Sequence, residues 1–312
     1  MPYWIAVDIG GTTLRAACFQ DANLEPLSIR KQPTLHHNRP VLEQVSELIG
    51  SIWPVDQLVA AIGVSAPGPV DPFFGTVLRA PSITGWVDFP LQQLLGEAFH
   101  APTFVGNDAN LAALGEWKQG AGQGVDDLIY LTISTGVGGG IIANGQLLLG
   151  QQGLAGELGH ITVVPNGPVC SCGRRGHLEA LASGPSIARW TQAELDSGAP
   201  SSLPRGTQLT SRQIAEAASE GDRLSRAAFE RAGTYLGEAI SNLVNIFNPA
   251  MVILGGGVSQ SGEFLLGPVR SVLARQVYSH HFLDTLKLTT AALGDNAGLL
   301  GALVLAKMSS KR

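Results

Sequence analysis

Short apolar runs of strand length alternate along this chain with stretches in which apolar residues return every three or four positions. Residues 3–19, "YWIAVDIGGTTLRAACF", read as a strand, a tight turn at Gly10-Gly11 and a second strand. Residues 40–53 place Val41, Val45 and Leu48 near one face of a helix. "LVAAIGVSAPG", residues 58–68, is a buried strand stopped by Pro-Gly. "APTFVGNDANLAALGEW", residues 101–117, is a strand to Val105 and then a helix capped by Asn107 or Asp108. "DLIYLTISTGVGGGII", residues 127–142, is strand, glycine loop, strand. The longest amphipathic pattern covers 222–247, where Leu224, Ala228, Ala232, Leu236, Ile240, Leu243 and Phe247 recur at helical spacing. Asn248-Pro249 ends it. "MVILGGGVS" is one more buried strand running into glycines, and "NAGLLGALVLAKM" is a final helix. Alternation of strand and helix throughout makes the class α/β.

One unit occurs twice. "VDIGGTTLR" and "LTISTGVGGGII" are each an apolar strand, a Gly/Thr turn and a second strand. The duplication predicts two related halves facing a shared cleft. The polar, glycine-rich stretch 116–126 is the expected boundary.

Composition narrows the partners. The chain has 312 residues, 45% of them hydrophobic, enough for about two domains with substantial cores. A net charge of −5 gives no global basic field for nucleic acid. Three cysteines make no disulfide framework and suit a reducing compartment. The N-terminal segment lacks the basic and long apolar regions of a signal peptide. No run of about 18 apolar residues occurs. The expectation is a cytoplasmic protein with no membrane partner.

Three places carry chemistry. Turns rich in Gly and Thr expose successive N–H groups and short hydroxyls, which bind phosphate oxygens, and two of them are suited to clamp one polyphosphate. Asp8, just before the first turn, suits Mg²⁺ through water. A plain hairpin is the alternative for either turn taken alone. No G-x-x-x-x-G-K-[ST] occurs, so this is not a P-loop chain. "LGGGVS" suits close backbone approach to a purine. Asp108, at a helix start, is either an N-cap or a carboxylate that takes a hydroxyl proton during phosphoryl transfer. His160, Cys170, Cys172 and His177 lie within eighteen residues. Two nitrogens and two sulfurs suit tetrahedral Zn²⁺, whereas C-x-C is not the redox C-x-x-C. A glycine-rich loop with incidental thiols is the alternative.

Taken in order, "DIGGTTLR", "GVSAPGPVDPFFGTVLRAPSITGW", "NDAN", "STGVGGG", "GLAGELGHITV" and "CSCGRRGHLEALASG" resemble the motifs of the ROK family of sugar kinases, over nearly the whole chain. The resemblance implies a two-lobed actin-like (ribonuclease H-like) ATPase fold with an interlobe cleft. It implies a small lobe, 1–117, joined by a returning C-terminal helix, 297–312, and a large lobe, 118–296, carrying a zinc loop. It implies ATP and Mg²⁺ as cofactors, structural Zn²⁺, a sugar substrate and a homodimer. Asp108 would be the general base. Gly68, Ser82, Asn107, Glu157, His160 and Glu179 would meet the sugar. Asp8, Gly10, Gly11, Thr12, Thr13, Thr135, Gly136, Gly255 and Gly256 would serve the nucleotide. His160, Cys170, Cys172 and His177 would hold the zinc, with one His160 ring nitrogen on the metal and the other on the substrate.

Three departures from the family pattern stand out. His177 replaces a cysteine. Ser82 replaces the asparagine common in family glucokinases. Thr13 replaces a frequent lysine, and Arg15 is the nearest cation to compensate. Glucose phosphorylated at O6 is the leading reaction, with N-acetylmannosamine, N-acetylglucosamine and fructose as alternative acceptors. The family also contains sugar-responsive repressors with an added helix-turn-helix domain, for which a "DIGG" at residue 8 leaves no room. A sugar-binding module without catalysis is the third reading, opposed by Asp108 and both turns.

Overall fold

The computed structural model describes residues 2–20, 25–36 and 39–310. The first half runs β1 (Tyr3–Ile9), β2 (Thr13–Gln20), β3 (Ser28–Pro33), α1 (Val41–Gly50), β4 (Val59–Ala66), β5 (Val70–Asp71), β6 (Thr76–Arg79), β7 (Val87–Phe89), α2 (Leu91–Phe99), β8 (Thr103–Asn107) and α3 (Asp108–Gln119). The second runs β9 (Leu128–Ile133), β10 (Val137–Ala143), β11 (Gln146–Leu147), a long loop with one 3₁₀ turn at Leu158–His160, α4 (Leu178–Ala182), α5 (Gly184–Asp196), α6 (Ser211–Ser219) and α7 (Arg223–Phe247). It ends with β12 (Met251–Gly255), α8 (Glu263–Gln276), α9 (His281–Thr285), β13 (Lys287–Thr290) and α10 (Ala297–Ser309). The expected helix 297–312 thus ends at Ser309, and residues 311–312 lie outside the described residues.

The duplication read from two short motifs extends through two whole sheets. Their strand orders are β3-β2-β1-β4-β8 and β11-β10-β9-β12-β13. In each, three antiparallel strands are followed by two parallel additions. β5, β6 and β7 form a separate small antiparallel sheet. β1 is buried on both faces: Ile5, Val7 and Ile9 pack with Val45, Ile49 and Leu91, while Trp4 and Ala6 pack with Leu111 and Leu303. Such double burial is what a near-continuous apolar strand predicts.

α3 and α10 cross at very close range. A Cβ on Gly301 would fall 1.8 Å from the carbonyl oxygen of Leu111, and one on Gly115 would fall 2.5 Å from that of Ala297. Only glycine permits this approach. α3 also lies on the second sheet, where Gly138 and Gly140 of β10 make room for the methyls of Ala109 and Ala113. The helix carrying Asp108 therefore touches both halves of the molecule. Its far end is fastened by fully buried Glu116, whose carboxylate accepts from the N–H groups of Ala121, Ala292 and Leu293 at 2.8, 3.1 and 2.8 Å.

The predicted helix over 222–247 is α7. Asp222 caps it by accepting from the Ser225 N–H, and Asn248 closes it at φ 45°. Residues 40–53 give α1, with Val41, Val45 and Leu48 buried as expected.

Candidate active site

β8 delivers Asn107 and Asp108 to the start of α3. The Asn107 amide oxygen accepts from the N–H groups of Ala109 and Asn110 at 3.0 and 3.1 Å, which caps the helix. Its NH₂ donates to the Gly68 carbonyl and to Asp108 Oδ1, at 2.9 and 3.0 Å. The whole amide is thus committed to protein partners, and it links the Gly68 loop to the helix. Gly68 sits at φ +81°, where a Cβ would fall 2.0 Å from the Arg79 carbonyl oxygen.

Asp108 Oδ1 also accepts from the Ala109 N–H at 2.8 Å. The side chain opens to water in the cleft, yet protein atoms crowd it on the other sides. That crowding pushes its pKa up to about 6, with the charges of Asp8 and Glu157 adding to the rise and the Ala109 and Asn107 hydrogen bonds opposing it. Asp8 and Glu157 thus stand near enough for their charges to act on Asp108.

The first glycine turn is closed by Gly10 N–H donating to the Thr13 carbonyl at 2.9 Å and braced by Thr34 Oγ1 donating to the Gly10 carbonyl at 2.7 Å. Thr12 is exposed at its tip. Gly11 lies against Ser82: a Cβ there would fall 2.7 Å from the serine's own. Asp8 stands opposite Arg15 in the β1–β2 register, so both side chains share one face. Arg15 Nη2 meets Asp8 Oδ2 at 2.5 Å, and Ser65 Oγ donates to Oδ1 at 2.8 Å. The Arg15 charge is therefore spent on Asp8. A carboxylate has lone pairs beyond these bonds, so Asp8 can still accept from a metal-bound water.

The second turn contributes Ser134 and Thr135 to one wall of a cavity of about 1250 Å³, whose other walls include Pro185, Arg189, Leu209, Gly257, Val258 and Phe264, while Gly136 packs against the Glu179 carboxylate. Gly257 and Val258 line it, rather than Gly255 and Gly256. Gly255 is packed on the Tyr130 hydroxyl, and Gly256, at φ +82°, on the Ile133 backbone. Arg189 and Phe264 carried no sequence signal, because neither belongs to a glycine motif.

Glu179 joins this turn to the metal loop. One carboxylate oxygen accepts from the Val137 N–H at 3.2 Å, and the other from Ser171 Oγ at 2.5 Å and the Cys170 thiol at 3.4 Å. His160, Cys170, Cys172 and His177 bring their donor atoms within 4.8 Å of one another. His160 Nδ1 lies 3.6 Å from Cys170 Sγ, and His177 Nδ1 lies 3.3 Å from Cys172 Sγ. Zinc bonds of about 2.3 Å to sulfur and 2.0 Å to nitrogen give tetrahedral S···N edges of about 3.5 Å. The four residues therefore fit zinc. Burial, with His160 and Arg174 adding to it, lowers the His177 pKa and favours the neutral ring that ligates metal. His160 turns its other nitrogen, Nε2, toward Glu157 Oε2 at 4.0 Å.

A model of the ROK family matches residues 4–309. The chain belongs to the ROK family. Among characterised relatives, the glucokinase of Halalkalibacterium halodurans is 36% identical over 310 residues, covering 96% of this chain and 93% of that one. The N-acetylglucosamine repressor of Escherichia coli is 34% identical over 282 residues, covering 90% of this chain and 68% of the repressor. Among solved structures, a ROK family glucokinase from Streptomyces griseus, in complex with glucose and AMPPNP, aligns with a TM-score of 0.84 at 35% identity over 98% of this chain and 99% of that one. The two-sheet architecture is accordingly the actin-like ATPase fold of the ROK sugar kinases. No described helix is long and apolar enough to cross a membrane.

Proposed function

We propose that this ROK-family chain is an ATP-dependent hexose kinase that transfers the γ-phosphate to the 6-hydroxyl of glucose. The observation that carries the reading is Asp108. Its carboxylate has a pKa of about 6 and opens onto the cleft, at the start of a helix that touches both halves. At pH 7 it is mostly ionised, yet basic enough to take a proton from a hydroxyl as the phosphorus–oxygen bond forms. ADP leaves with the electrons of the broken bond, and the proton on Asp108 passes to solvent.

The remaining residues bind and orient. Gly10, Gly11, Thr12 and Thr13 face the phosphates from one side, and Thr135 and Gly136 from the other. The nucleoside occupies the large cavity against Gly257 and Val258, with Gly255 and Gly256 shaping that wall from behind. Asp8 would hold Mg²⁺ through water, and the ion would supply neutralisation of the phosphate charge. Gly68, Ser82, Glu157, His160 and Glu179 hold the sugar, and Asn107 fixes Gly68 and Asp108 beside it. Closing the cleft excludes water that would otherwise hydrolyse ATP. His160, Cys170, Cys172 and His177 would hold a structural Zn²⁺, which would fix the His160 ring and the Glu179 loop. The lobes divide as 1–117 with the returning helix and 118–296. The protein acts as a cytoplasmic homodimer with no nucleic-acid partner.

A panel of glucose, fructose, N-acetylmannosamine and N-acetylglucosamine with ATP, read by ADP release, tests the assignment. The highest kcat/KM belongs to glucose. A different best sugar moves the substrate within the family. Binding of sugar without turnover of any of them makes the chain a sensor, the reading that its similarity to repressors favours.

A further inference from the structure

Asn110 is only 5% exposed, and its buried Oδ1 has no hydrogen-bond partner among the described residues. Buried side-chain oxygens without a partner are rare and cost stability, so one beside an active site requires a reason. Asn110 lies two residues after Asp108 on α3, and its oxygen points across to the second half of the molecule. A Cβ built on Gly156 would fall 3.2 Å from Oδ1, and one on Gly140 would fall 3.1 Å from it. Gly156 sits at φ +94°, a conformation that glycine alone adopts without strain.

The segment facing Asn110 has donors that no protein atom accepts. The Gly156 carbonyl accepts from the Leu158 N–H at 2.7 Å. The N–H groups of Gly156 and Glu157 donate no hydrogen bond among the described residues. A buried acceptor without a partner therefore faces a stretch whose two N–H groups, on half-buried Gly156 and exposed Glu157, meet no protein acceptor among the described residues. That stretch leads directly into the turn bearing Glu157 and His160.

We propose that Asn110 is a positioning residue: its Oδ1 receives an N–H of the Gly156–Glu157 backbone when sugar binds. The bond ties the turn that holds the sugar to the helix that carries Asp108. In the free protein both partners stay unpaired, and sugar contacts on Glu157 and His160 draw the turn onto α3. The inference rests on the sugar-kinase reading given above.

Asn110→Leu preserves side-chain volume and removes the orphan, so the free variant melts at or above the wild-type temperature. A role confined to the free fold predicts that change and nothing else. The proposal predicts in addition that the sugar-induced rise in melting temperature shrinks, and that KM for glucose increases roughly five- to tenfold, the worth of one buried hydrogen bond. KM for ATP stays within about twofold, because the nucleotide cavity does not include Asn110. Hydrogen exchange on the wild-type protein supplies a readout independent of the variant's folding: the amides of 156–157 become protected when glucose is added. An Asn110→Leu enzyme with wild-type KM for glucose, or no sugar-dependent protection at 156–157, overturns the inference. Failure of the wild type to phosphorylate any sugar instead overturns the functional reading.

Discussion

Asp108→Asn separates the chemistry of the site from its architecture. Asparagine has nearly the same shape, and its oxygen still accepts from the Ala109 N–H that now meets Oδ1 at 2.8 Å. What disappears is a carboxylate held at a pKa of about 6 instead of 3.8. Such a group binds more protons folded than unfolded between those two values. Its cost to the fold is therefore absent below the unfolded pKa and fully present above about pH 6. At about 1.4 kcal/mol per pH unit the rise corresponds to about 3 kcal/mol. The carboxylate opens to water in the cleft, and that screening leaves about 1 kcal/mol. The variant is thus more stable than wild type at pH 7.5, by roughly 2–4 °C in melting temperature, and the gain vanishes near pH 4. Turnover falls by about 10²–10⁴, because an amide cannot take the hydroxyl proton. The wild-type kcat/KM loses activity below about pH 6 with the slope of one proton. Scanning fluorimetry from pH 4 to 8 and coupled ADP release across the same range measure all three effects. Near-wild-type turnover in the variant, or a flat wild-type profile through pH 6, would falsify the assignment of Asp108 as base. A variant less stable at pH 7.5 refutes the desolvation argument on its own.

The other expectations concern neighbouring groups. Purified protein contains about one zinc per chain by elemental analysis; His177→Cys keeps it, and Cys172→Ala loses it together with sugar affinity but not ATP affinity. A metal-free native protein with full activity removes the zinc clip. Ser82→Asn raises the glucose to N-acetylmannosamine ratio of kcat/KM several-fold, the worth of about 1 kcal/mol from one added hydrogen bond; an unchanged ratio means that position 82 does not discriminate. Glu116→Ala strands three backbone N–H groups and costs about 3–5 kcal/mol, seen as a melting temperature lower by roughly 10 °C. A loss under about 1 kcal/mol would show that those N–H groups find other partners.

The legible parts of this protein are those written in local pattern. α7 and α1 follow from helical spacing alone, because an amphipathic stripe needs no knowledge of what it packs against. The paired turns were legible because each joins two apolar strands, and their likeness pointed to the duplicated sheets. β5 and β6 are not legible in the sequence, since strands of two and four residues carry too little periodicity to stand out from the loops around them. β13 is four residues long and only partly buried, so its apolar signal is equally weak. At the site, Asp108 and the four residues His160, Cys170, Cys172 and His177 stand in compact motifs, and the structure brings the four donor atoms within 4.8 Å of one another. Arg189 and Phe264 reach the cavity only through the packing of α5 and α8, which no short window of sequence records.

The glycine run after the second turn shows why composition misleads about purpose. Read locally, Gly138, Gly139 and Gly140 are more of a phosphate loop. In the fold they belong to β10, and each leaves room for a neighbour: Gly138 for Ala109, Gly139 for Leu158, Gly140 for Ala113. Phosphate binding asks for exposed N–H groups, whereas these strand positions pair with β9. Their missing side chains let α3 lie almost on the sheet. That close approach brings Asp108 and Asn110 to the strand whose opening turn borders the large cavity through Ser134 and Thr135. It also brings Leu158, and with it the turn of Glu157 and His160, against the opposite side of the same strand. Asp108, the turn of Glu157 and His160 and the turn at Ser134–Gly136 are therefore registered to one another by three absent Cβ atoms. A methyl added at Gly140 would strike Ala113 at 2.6 Å and Asn110 Oδ1 at 3.1 Å, so α3, and Asp108 with it, would have to move away from β10.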